Sequence, residues 1–428
     1  MRFCKSCLYP ENGKPTIFFD EEGICSGCRF HQNKSAVDSP IDWDKRYKLF
    51  QEIILDMKKR AKSSGSPHDC LIPISGGKDS HFQVFQLKKL GLNPLLLSFN
   101  HSYNSPAGNA NLRNLVDKSG FDHIRYTIGR STASKLSRLM LEKNGDLTWH
   151  YHAGILSLPS MVAYKMKIPY VVWGDQGFAE LTGVLNPDDI IEFTNWNRIE
   201  HAMRGLYKED LYNMGLTDSD IWLFDYPSAK QIADIDLRGI YISNFLRWDA
   251  KEQTEIMIKE HGFNPVSYDR ERTFNLYAKT EDHAQEVHDY LKFLKFGYGR
   301  GTDDATTEIR YGRLKRDEAI DLAIKYDRKT PSSLNFYCNL MNISINKFYE
   351  IIEPMRDEEA WKKNNSGKWE LISKLEDSRG ISKEIFKQND EEHIFSKKNR
   401  ALYYNPQNPP LPRDSDEFNI YSPTPLAI

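Results

Sequence analysis

The sequence has no long apolar segment and no excess of charge of either sign. Its 428 residues include 58 basic and 60 acidic side chains, a formal net charge of −2, which offers no overall attraction to the phosphate backbone of nucleic acid. No run approaches the roughly 20 apolar residues that span a bilayer. The start, Met-Arg-Phe-Cys, lacks the apolar stretch of a secretory signal. We therefore expect a cytoplasmic protein with no nucleic-acid partner and no membrane span.

Cysteine is scarce and unevenly distributed. Four of the six cysteines fall within the first 28 residues, as the pairs Cys4/Cys7 and Cys25/Cys28. Two C-x-x-C pairs at this separation are typical of a four-thiolate zinc site, in which each pair binds one side of a tetrahedral ion. The missing secretory signal disfavours disulfides, and an iron–sulfur cluster is the other candidate. Because the protein would supply all four ligands, we predict a structural Zn²⁺, with residues 16–24 as strand, turn and strand between the pairs.

Short apolar runs alternate with longer amphipathic segments in the next part of the chain. The apolar runs predict strands over residues 70–74, 94–99, 122–128 and 170–173. The amphipathic segments predict helices over residues 43–62, 79–90, 109–118, 131–143 and 152–167, with a kink or a break at Pro159 in the last. Strands that alternate with helices imply a parallel sheet covered by helices on both faces. The fold class is therefore α/β.

The C-terminal half reads as mostly helical. Helices are expected over residues 250–261, 281–294, 316–326 and 343–355. Six prolines near the C-terminus predict an extended tail. The predicted units are a cysteine module (1–40), an α/β nucleotide domain (41–180), a helical substrate or partner region (181–400) and a proline-rich tail (401–428).

A glycine-rich hexapeptide lies where the first predicted strand gives way to a helix. Its residues are Ser75, Gly76, Gly77, Lys78, Asp79 and Ser80. Paired glycines allow backbone N–H groups to approach phosphate oxygens, and a helix N-terminus adds about half a positive charge. Lys78 adds a full charge, and the serines add hydroxyl donors. A plain Gly-Gly turn is the alternative, but a loop at the carboxyl end of a strand favours a pyrophosphate site. Pro73 suggests an edge or irregular position for this strand.

The hexapeptide resembles the Ser-Gly-Gly-x-Asp-Ser signature of the PP-loop ATP-pyrophosphatases, which have a HUP-like parallel sheet. The resemblance implies cleavage of ATP between its α and β phosphates and transfer of AMP to a substrate oxygen. It implies catalytic roles for Lys78 and Asp79, and Mg²⁺ on the phosphates with help from Asp79 or Asp175. It also implies further nucleotide contacts, by Phe99, Asn100, Gly174, Asp175 and Gln176.

The order of the motifs resembles the N-acetyl sugar amidotransferase family over nearly the whole chain. The matching segments are Cys-Leu-Tyr-Pro-Glu-Asn-Gly at 7–13, the paired cysteines, Ile-Ser-Gly-Gly-Lys-Asp-Ser, Trp-Gly-Asp-Gln-Gly, and HDYLKFLKFGYGRGTDDATTEIR at 288–310. The resemblance implies conversion of an acetamido group on a nucleotide-linked sugar into an acetamidino group, in lipopolysaccharide O-antigen or flagellin glycan synthesis. It implies substrate contacts by Lys292, Tyr298, Arg300, Asp303 and Asp304. Arg300 would bind a carboxylate or phosphate by a bidentate contact, and a solvated helix end followed by a loop is the alternative.

The sequence shows no glutaminase of its own, since Arg2 stands where an N-terminal nucleophile would need cysteine. We therefore expect ammonia from a class I glutaminase subunit, with a cyclase-like channel subunit as a further candidate partner. Two other functions compete with amidotransfer. A tRNA-thiolating PP-loop enzyme also combines a zinc module with this loop, but many such enzymes carry additional cysteines near the active site. A non-catalytic nucleotide-binding module is the other reading.

Overall fold

The computed structural model describes residues 1–14, 16–184, 186–188 and 190–387. Over these residues the strands are β1 (Leu71–Pro73), β2 (Leu95–Asn100), β3 (His123–Thr127), β4 (Tyr170–Trp173), β5 (Arg238–Tyr241), β6 (Trp361–Lys363) and β7 (Trp369–Leu371). The N-terminal helices are α1 (Ser26–Lys34), α2 (Trp43–Ser64), α3 (Lys78–Lys89), α4 (Pro106–Ser119), α5 (Arg130–Asn144), α6 (Trp149–Lys165) and α7 (Gly177–Thr182).

The remaining helices follow the fourth strand. They are α8 (Asn195–Asn197), α9 (Lys208–Asn213), α10 (Asp218–Ile221), α11 (Ala229–Ile235), α12 (Ala250–His261), α13 (Gln285–Phe296), α14 (Arg300–Arg310), α15 (Arg316–Asp327), α16 (Leu334–Leu340) and α17 (Ile345–Ile352). A π-helical turn spans Arg198–Ala202, and short 3₁₀ turns span Trp222–Phe224, Ile242–Asn244, Glu353–Met355 and Leu375–Ser378. No helix among the described residues is both long and apolar enough to cross a bilayer.

Five of the described strands form one parallel sheet in the order β3-β2-β1-β4-β5. The chain leaves β1 toward β2 on one side and later places β4 on the other side. β1 and β4 are therefore the point where the strand order reverses. In open α/β sheets ligands bind in the crevice at the carboxyl ends of the strands at such a point.

The two faces of this sheet are buried against different helices, as the alternation of side chains along a strand requires. Leu71, Leu97 and Val171 point into a core shared with α5 and α6. Ile72 and Val172 point into the opposite core, which α2, α3, α4 and α12 complete. Each fully buried Leu, Val or Ile contributes about 1.5–3 kcal/mol. The predicted α/β fold with helices on both faces is confirmed.

The sheet and its neighbouring helices differ from the sequence interpretation in three places. β5 was missed, because it is short and begins with an arginine and a glycine. Pro73 lies in the central strand and not at an edge. It is tolerated because β1 pairs with β4 only at Leu71, so no ladder donor is needed at Pro73. In addition, α6 continues through Pro159, so of the predicted kink or break the break does not occur.

The C-terminal helices close over the face that carries α5 and α6. Buried side chains of α13, α16 and α17, such as Leu291, Tyr337 and Phe348, belong to the same core as Met140 of α5. The predicted mostly helical C-terminal region is therefore confirmed. The division into units at residues 40, 180 and 400 stays a prediction, and the predicted tail 401–428 lies outside the described residues.

Candidate active site

The glycine-rich loop follows β1, at the sheet's switch point, and α3 begins within it at Lys78. Gly76 has a φ of +88°, which disfavours any side chain. A Cβ at Gly76 would lie 2.7 Å from the carbonyl oxygen of Gly108 and 2.8 Å from the backbone nitrogen of Leu112, both in α4. The loop therefore needs glycine here both for its conformation and for its close contact with α4.

The serines of the loop hold its backbone in place. The Ser75 N–H donates to Ser80 Oγ at 3.0 Å, and the Gly77 N–H donates to Ser75 Oγ at 3.2 Å. Lys78 Nζ lies 2.5 Å from Asp79 Oδ2. Burial alone would lower the pKa of Lys78, but the carboxylates of Asp79, Asp175 and Glu281 raise it. Lys78 therefore carries its charge at the start of α3, where phosphate groups are best accommodated.

Glu281 is a site residue that the sequence interpretation missed. Its Oε1 accepts a hydrogen bond from Ser75 Oγ at 3.1 Å. Residues 281–284 were predicted as the first turn of a helix, but α13 begins only at Gln285. The preceding segment pairs instead with the chain after β2, since the Ser105 N–H donates to Glu281 O at 3.0 Å. The one signal for this position in the sequence is the pair of adjacent acidic residues, Glu281 and Asp282, before the helix.

The second predicted turn, Gly174-Asp175-Gln176, follows β4 and leads into α7. It therefore lies beside the glycine-rich loop across the switch point. Burial, and then the neighbouring Asp79, raises the pKa of Asp175 to about 6. Carboxylates of Asp79, Asp175 and Glu281 thus surround the position that a nucleotide phosphate would take, and oxygen ligands of this kind suit Mg²⁺.

Two cavities meet at this loop. The smaller, about 260 Å³, is lined by Ser75, Ser80, Phe99, Asn100 and Gly174. The ring of Phe99 stacks on Tyr126 with centroids 5.7 Å apart and covers Gly154 of α6, where a Cβ would lie 2.6 Å from the ring. The predicted adenosine contacts Phe99 and Asn100 therefore line a cavity next to the loop.

The larger cavity has a volume of about 920 Å³. It joins the glycine-rich loop and the second turn to the C-terminal helices α13 and α14. The predicted site residues on its wall are Ser75, Gly77, Lys78, Asp79, Asp175, Gln176, Lys292, Arg300, Asp303 and Asp304. Residues predicted from two separate parts of the sequence, for nucleotide and for substrate, thus face one space.

The predicted substrate residues form their own charge network. Lys292 Nζ lies 2.6 Å from Asp303 Oδ2, and Arg300 lies 3.3 Å from Asp289 Oδ1. Arg300 is therefore already paired, and an anionic substrate group would have to share it with Asp289. Burial raises the pKa of Asp304 to about 7, so this carboxyl group is partly protonated near neutral pH.

Two details of this block differ from the sequence interpretation. Residues 300–310 form the helix α14, where a loop was the alternative, because α14 packs along α15 and Thr302 Oγ1 donates to Asp327 Oδ2 at 2.6 Å. Tyr298 does not line either cavity. It is 3% exposed and lies beneath the Lys292 ammonium, 4.4 Å from the ring centroid. Tyr298 therefore supports Lys292 from behind the cavity wall.

The four N-terminal cysteines converge on one point. Their Sγ atoms all lie within 4.8 Å of one another, and all four are buried. Zn–S bonds of about 2.3 Å in a tetrahedron place the sulfurs about 3.8 Å apart, and the Cys7 and Cys25 sulfurs lie 3.5 Å apart. The set therefore fits a structural Zn²⁺. The predicted strands between the pairs reduce to a single antiparallel bridge, Phe19 to Cys25.

The cysteine module packs directly on the helix that follows the second turn. The guanidinium of Arg310 donates to the carbonyl oxygens of Glu180 and Leu181 at 2.9 Å and to Cys25 Sγ at 3.6 Å. A Cβ at Gly27 would lie 2.3 Å from that guanidinium. The module therefore fixes α7 and α14 against each other at the wall of the large cavity.

The chain is a parallel α/β protein whose switch point carries a hexapeptide that resembles the PP-loop signature. Residues 270–376 match the family described as LPS biosynthesis protein WbpG-like, C-terminal domain. The C-terminal part of the chain is therefore similar to the C-terminal domain of WbpG-like lipopolysaccharide-biosynthesis proteins, in agreement with the resemblance drawn from the sequence.

Other similarities are partial. An uncharacterized protein of Methanocaldococcus jannaschii is 30% identical over 101 residues, 23% of this chain, and the chain spans only 33% of that relative's length. An NH3-dependent NAD synthetase from Campylobacter jejuni (15% identity, 46% of this chain and 92% of that one) has a TM-score of 0.26. An NMN synthetase from Francisella tularensis (13% identity, 54% and 99%) has a TM-score of 0.24. Likeness of this degree says nothing about activity.

Proposed function

We propose that this chain is an ATP-dependent amidotransferase. It adenylates the acetamido carbonyl oxygen of a nucleotide-linked N-acetyl sugar, and ammonia then replaces that oxygen to give an acetamidino group, with AMP and pyrophosphate released. The observation that carries the proposal is the 920 Å³ cavity that joins the glycine-rich loop to the WbpG-like C-terminal helices. That volume lies near the upper end of small-molecule sites, roughly 300–1,000 Å³, and suits a sugar nucleotide beside ATP.

The chain's own groups account for the first chemical step. The backbone donors of the loop and the ammonium of Lys78 stabilise the negative charge that builds up on the departing pyrophosphate. Asp79, Asp175 and Glu281 are the residues that would hold Mg²⁺ there, because their carboxylates line the same end of the cavity. The acetamido group then lies between the loop and α13, where its oxygen can reach the α-phosphorus.

We propose that ammonia comes from a class I glutaminase subunit, with a cyclase-like channel subunit beside it. Many thiolating enzymes carry cysteines near the active site, but neither Cys70 nor Cys338 lines either cavity here. Burial raises the pKa of the Cys338 thiol to about 11, so this thiol is not a nucleophile at neutral pH.

The test incubates the protein with ATP, Mg²⁺, ammonium chloride and a panel of UDP- and CMP-linked acetamido sugars. Mass spectrometry should show one sugar nucleotide in which oxygen is replaced by NH, together with AMP and pyrophosphate in equal amounts. The same mixture with unmodified tRNA and a sulfur donor in place of the sugars should give no thiolated base. AMP release with tRNA and with none of the sugars would contradict the proposal.

A further inference from the structure

His288 is a cavity-lining histidine to which the proposed first step gives no role. It lies in the first turn of α13, on the wall of the 920 Å³ cavity, and its side chain is 22% exposed. Asp146 and His152 line the same cavity. His152 also lines the smaller cavity, so this group lies where the nucleotide and substrate spaces meet.

The hydrogen bonds around His288 fix its tautomer. Thr148 Oγ1 lies 2.6 Å from Asp146 Oδ1, and because the carboxylate can only accept, the single hydroxyl proton of Thr148 is donated there. His288 Nδ1 lies 2.7 Å from the same Thr148 oxygen. With its proton already used, this oxygen can only accept, so Nδ1 carries the ring proton. Nε2 is then the nitrogen with a lone pair, and no described residue donates a hydrogen bond to it.

The charges around the ring keep this arrangement. Burial alone would raise the pKa of Asp146, but the hydrogen bond from His288 and the nearby Arg204 guanidinium hold it well below its usual range. Burial lowers the pKa of His152, so that ring stays neutral beside His288. The other charged groups on the same helix are already engaged. Glu286 pairs with Arg270, Asp289 with Arg300 and Lys292 with Asp303, and Lys295 donates to the carbonyl oxygens of Asn144 and Gly145.

On a cavity wall, an imidazole whose Nδ1–H is bonded to a threonine–aspartate pair and whose Nε2 receives no hydrogen bond from a described residue has the arrangement of a general base. We propose that His288 Nε2 is the base of the amidination step, with Thr148 and Asp146 as positioning residues. The inference rests on the proposed function and assigns the residue that handles the proton of the incoming nitrogen.

The amidination step starts from the adenylated imidate, in which the former acetamido oxygen carries AMP and the carbon is double-bonded to the sugar nitrogen. Ammonia adds through its lone pair to this carbon, a C–N bond forms, and the C=N electron pair moves to the sugar nitrogen. His288 Nε2 accepts one proton from the new –NH₃⁺ group and returns it to the sugar nitrogen. The C–O bond then breaks, its electron pair leaves with AMP, and a nitrogen lone pair forms the new C=N bond of an amidinium. No oxidant or reductant is needed.

The kinetic test compares His288→Gln with the wild-type protein and with His261→Gln, a histidine of α12 that lies outside both cavities. Single-turnover pyrophosphate release from ATP with the UDP- and CMP-linked acetamido sugars, without ammonia, measures adenylation. Amidine formation with ammonium chloride across pH 6–9 measures the second step. We expect His288→Gln to keep adenylation and to lose about 10²- to 10⁴-fold in amidine formation, while His261→Gln matches the wild type in both.

A second measurement needs no variant. Nitrogen-15 NMR of the histidine-labelled protein at pH 8 should show the His288 ring as the Nδ1–H tautomer. An Nε2–H tautomer would overturn the inference, and so would a His288→Gln protein that forms amidine at the wild-type rate. If the wild type forms no amidine from any sugar of the panel, the proposed function fails and takes the inference with it. A loss of amidine formation in His288→Gln alone, with an active wild type, thus supports the inference separately from the proposed function.

Discussion

Lys78 and Asp79 are neighbours in the sequence, and their side chains form an ion pair of 2.5 Å on the wall of the large cavity. If the ammonium stabilises the departing pyrophosphate, Lys78→Ala should reduce pyrophosphate release by about 10²-fold or more. The control is Lys89→Ala, at the other end of α3, where the side chain is 56% exposed. Both variants should melt near the wild-type temperature, and wild-type turnover by Lys78→Ala would contradict the assignment.

Asp175 gives a prediction about pH and stability. Its pKa is raised to about 6 in the folded protein, mainly by burial, and is about 3.9 in the unfolded chain. Between these values the folded state binds more protons than the unfolded state, so this group lowers the free energy of unfolding as pH rises from about 4 to about 6. The loss amounts to at most about 3 kcal/mol.

Asp175→Asn should therefore be more stable than the wild type at pH 7.5 and lose that advantage at pH 4. Urea unfolding at the two pH values measures the difference, and the exposed Asp117→Asn in α4 serves as the control with no such dependence. The same variant should lose ATP-dependent turnover, because it removes a carboxylate beside the phosphates. An equal stability change at both pH values would show that the Asp175 charge is not the cause.

Among the elements, the contact between the glycine-rich loop and α4 can be tested by a matched pair of glycines. Gly76 and Gly120 both have positive φ, +88° and +70°. A Cβ at Gly120 meets open space, whereas one at Gly76 would overlap the backbone of α4. Gly120→Ala should cost about 1 kcal/mol, from backbone strain alone. Gly76→Ala should cost clearly more and abolish ATP binding, as measured by urea unfolding and isothermal titration calorimetry. Equal losses in both variants would refute the role of the contact.

The elements also show where prediction from sequence succeeds. The strands β1, β2 and β4 are short, largely buried apolar runs between turn signals, so the hydrophobic pattern identified them. β5 contains Arg238 and Gly239, and its place is decided by pairing with β4, a contact between residues about 70 positions apart. The helix α14 contains three threonines, two aspartates and a glycine, which are weak helix formers. Its packing on α15 decides its structure, and no local pattern reveals that.

At the scale of the whole molecule, the site depends on contacts between distant parts of the chain. The hexapeptide could be predicted because six adjacent residues carry both the conformation and the chemistry. Glu281 meets Ser75 across 206 residues, and His288 meets Thr148 across 140. Such pairs leave no periodic signal, because either partner alone reads as an ordinary surface residue. The glycine-rich loop was therefore predictable from the sequence, whereas Glu281 and His288, which reach the cavity from the C-terminal half, were not.

Removal of the metal from the cysteine module would test whether the module holds distant parts of the chain together at the cavity wall. It has a small core of its own, and structural zinc sites contribute about 10 kcal/mol or more to the folding of such modules. Besides Arg310, Tyr9 ties it to the cavity wall, since its hydroxyl donates to Asp303 Oδ1 at 2.6 Å. Loss of the ion should therefore disturb α7 and α14 as well as residues 1–35.

Metal analysis should find one zinc and no iron per wild-type chain, and none in Cys28→Ser. Hydrogen exchange in that variant should lose protection over residues 1–35 and also over 177–183 and 300–310, since Arg310 no longer has a fixed partner in Cys25. Cys338→Ser, which changes a cysteine of α16 remote from the cluster, should keep both the metal and the protection. A loss of protection confined to residues 1–35 would show instead that the module folds independently of the cavity wall. Iron in stoichiometric amount would show that the cysteines hold an iron–sulfur cluster and not zinc.

Because the affected helices carry Asp303 and follow Asp175, we expect the metal-free protein to bind the sugar nucleotide more weakly even where the glycine-rich loop is intact.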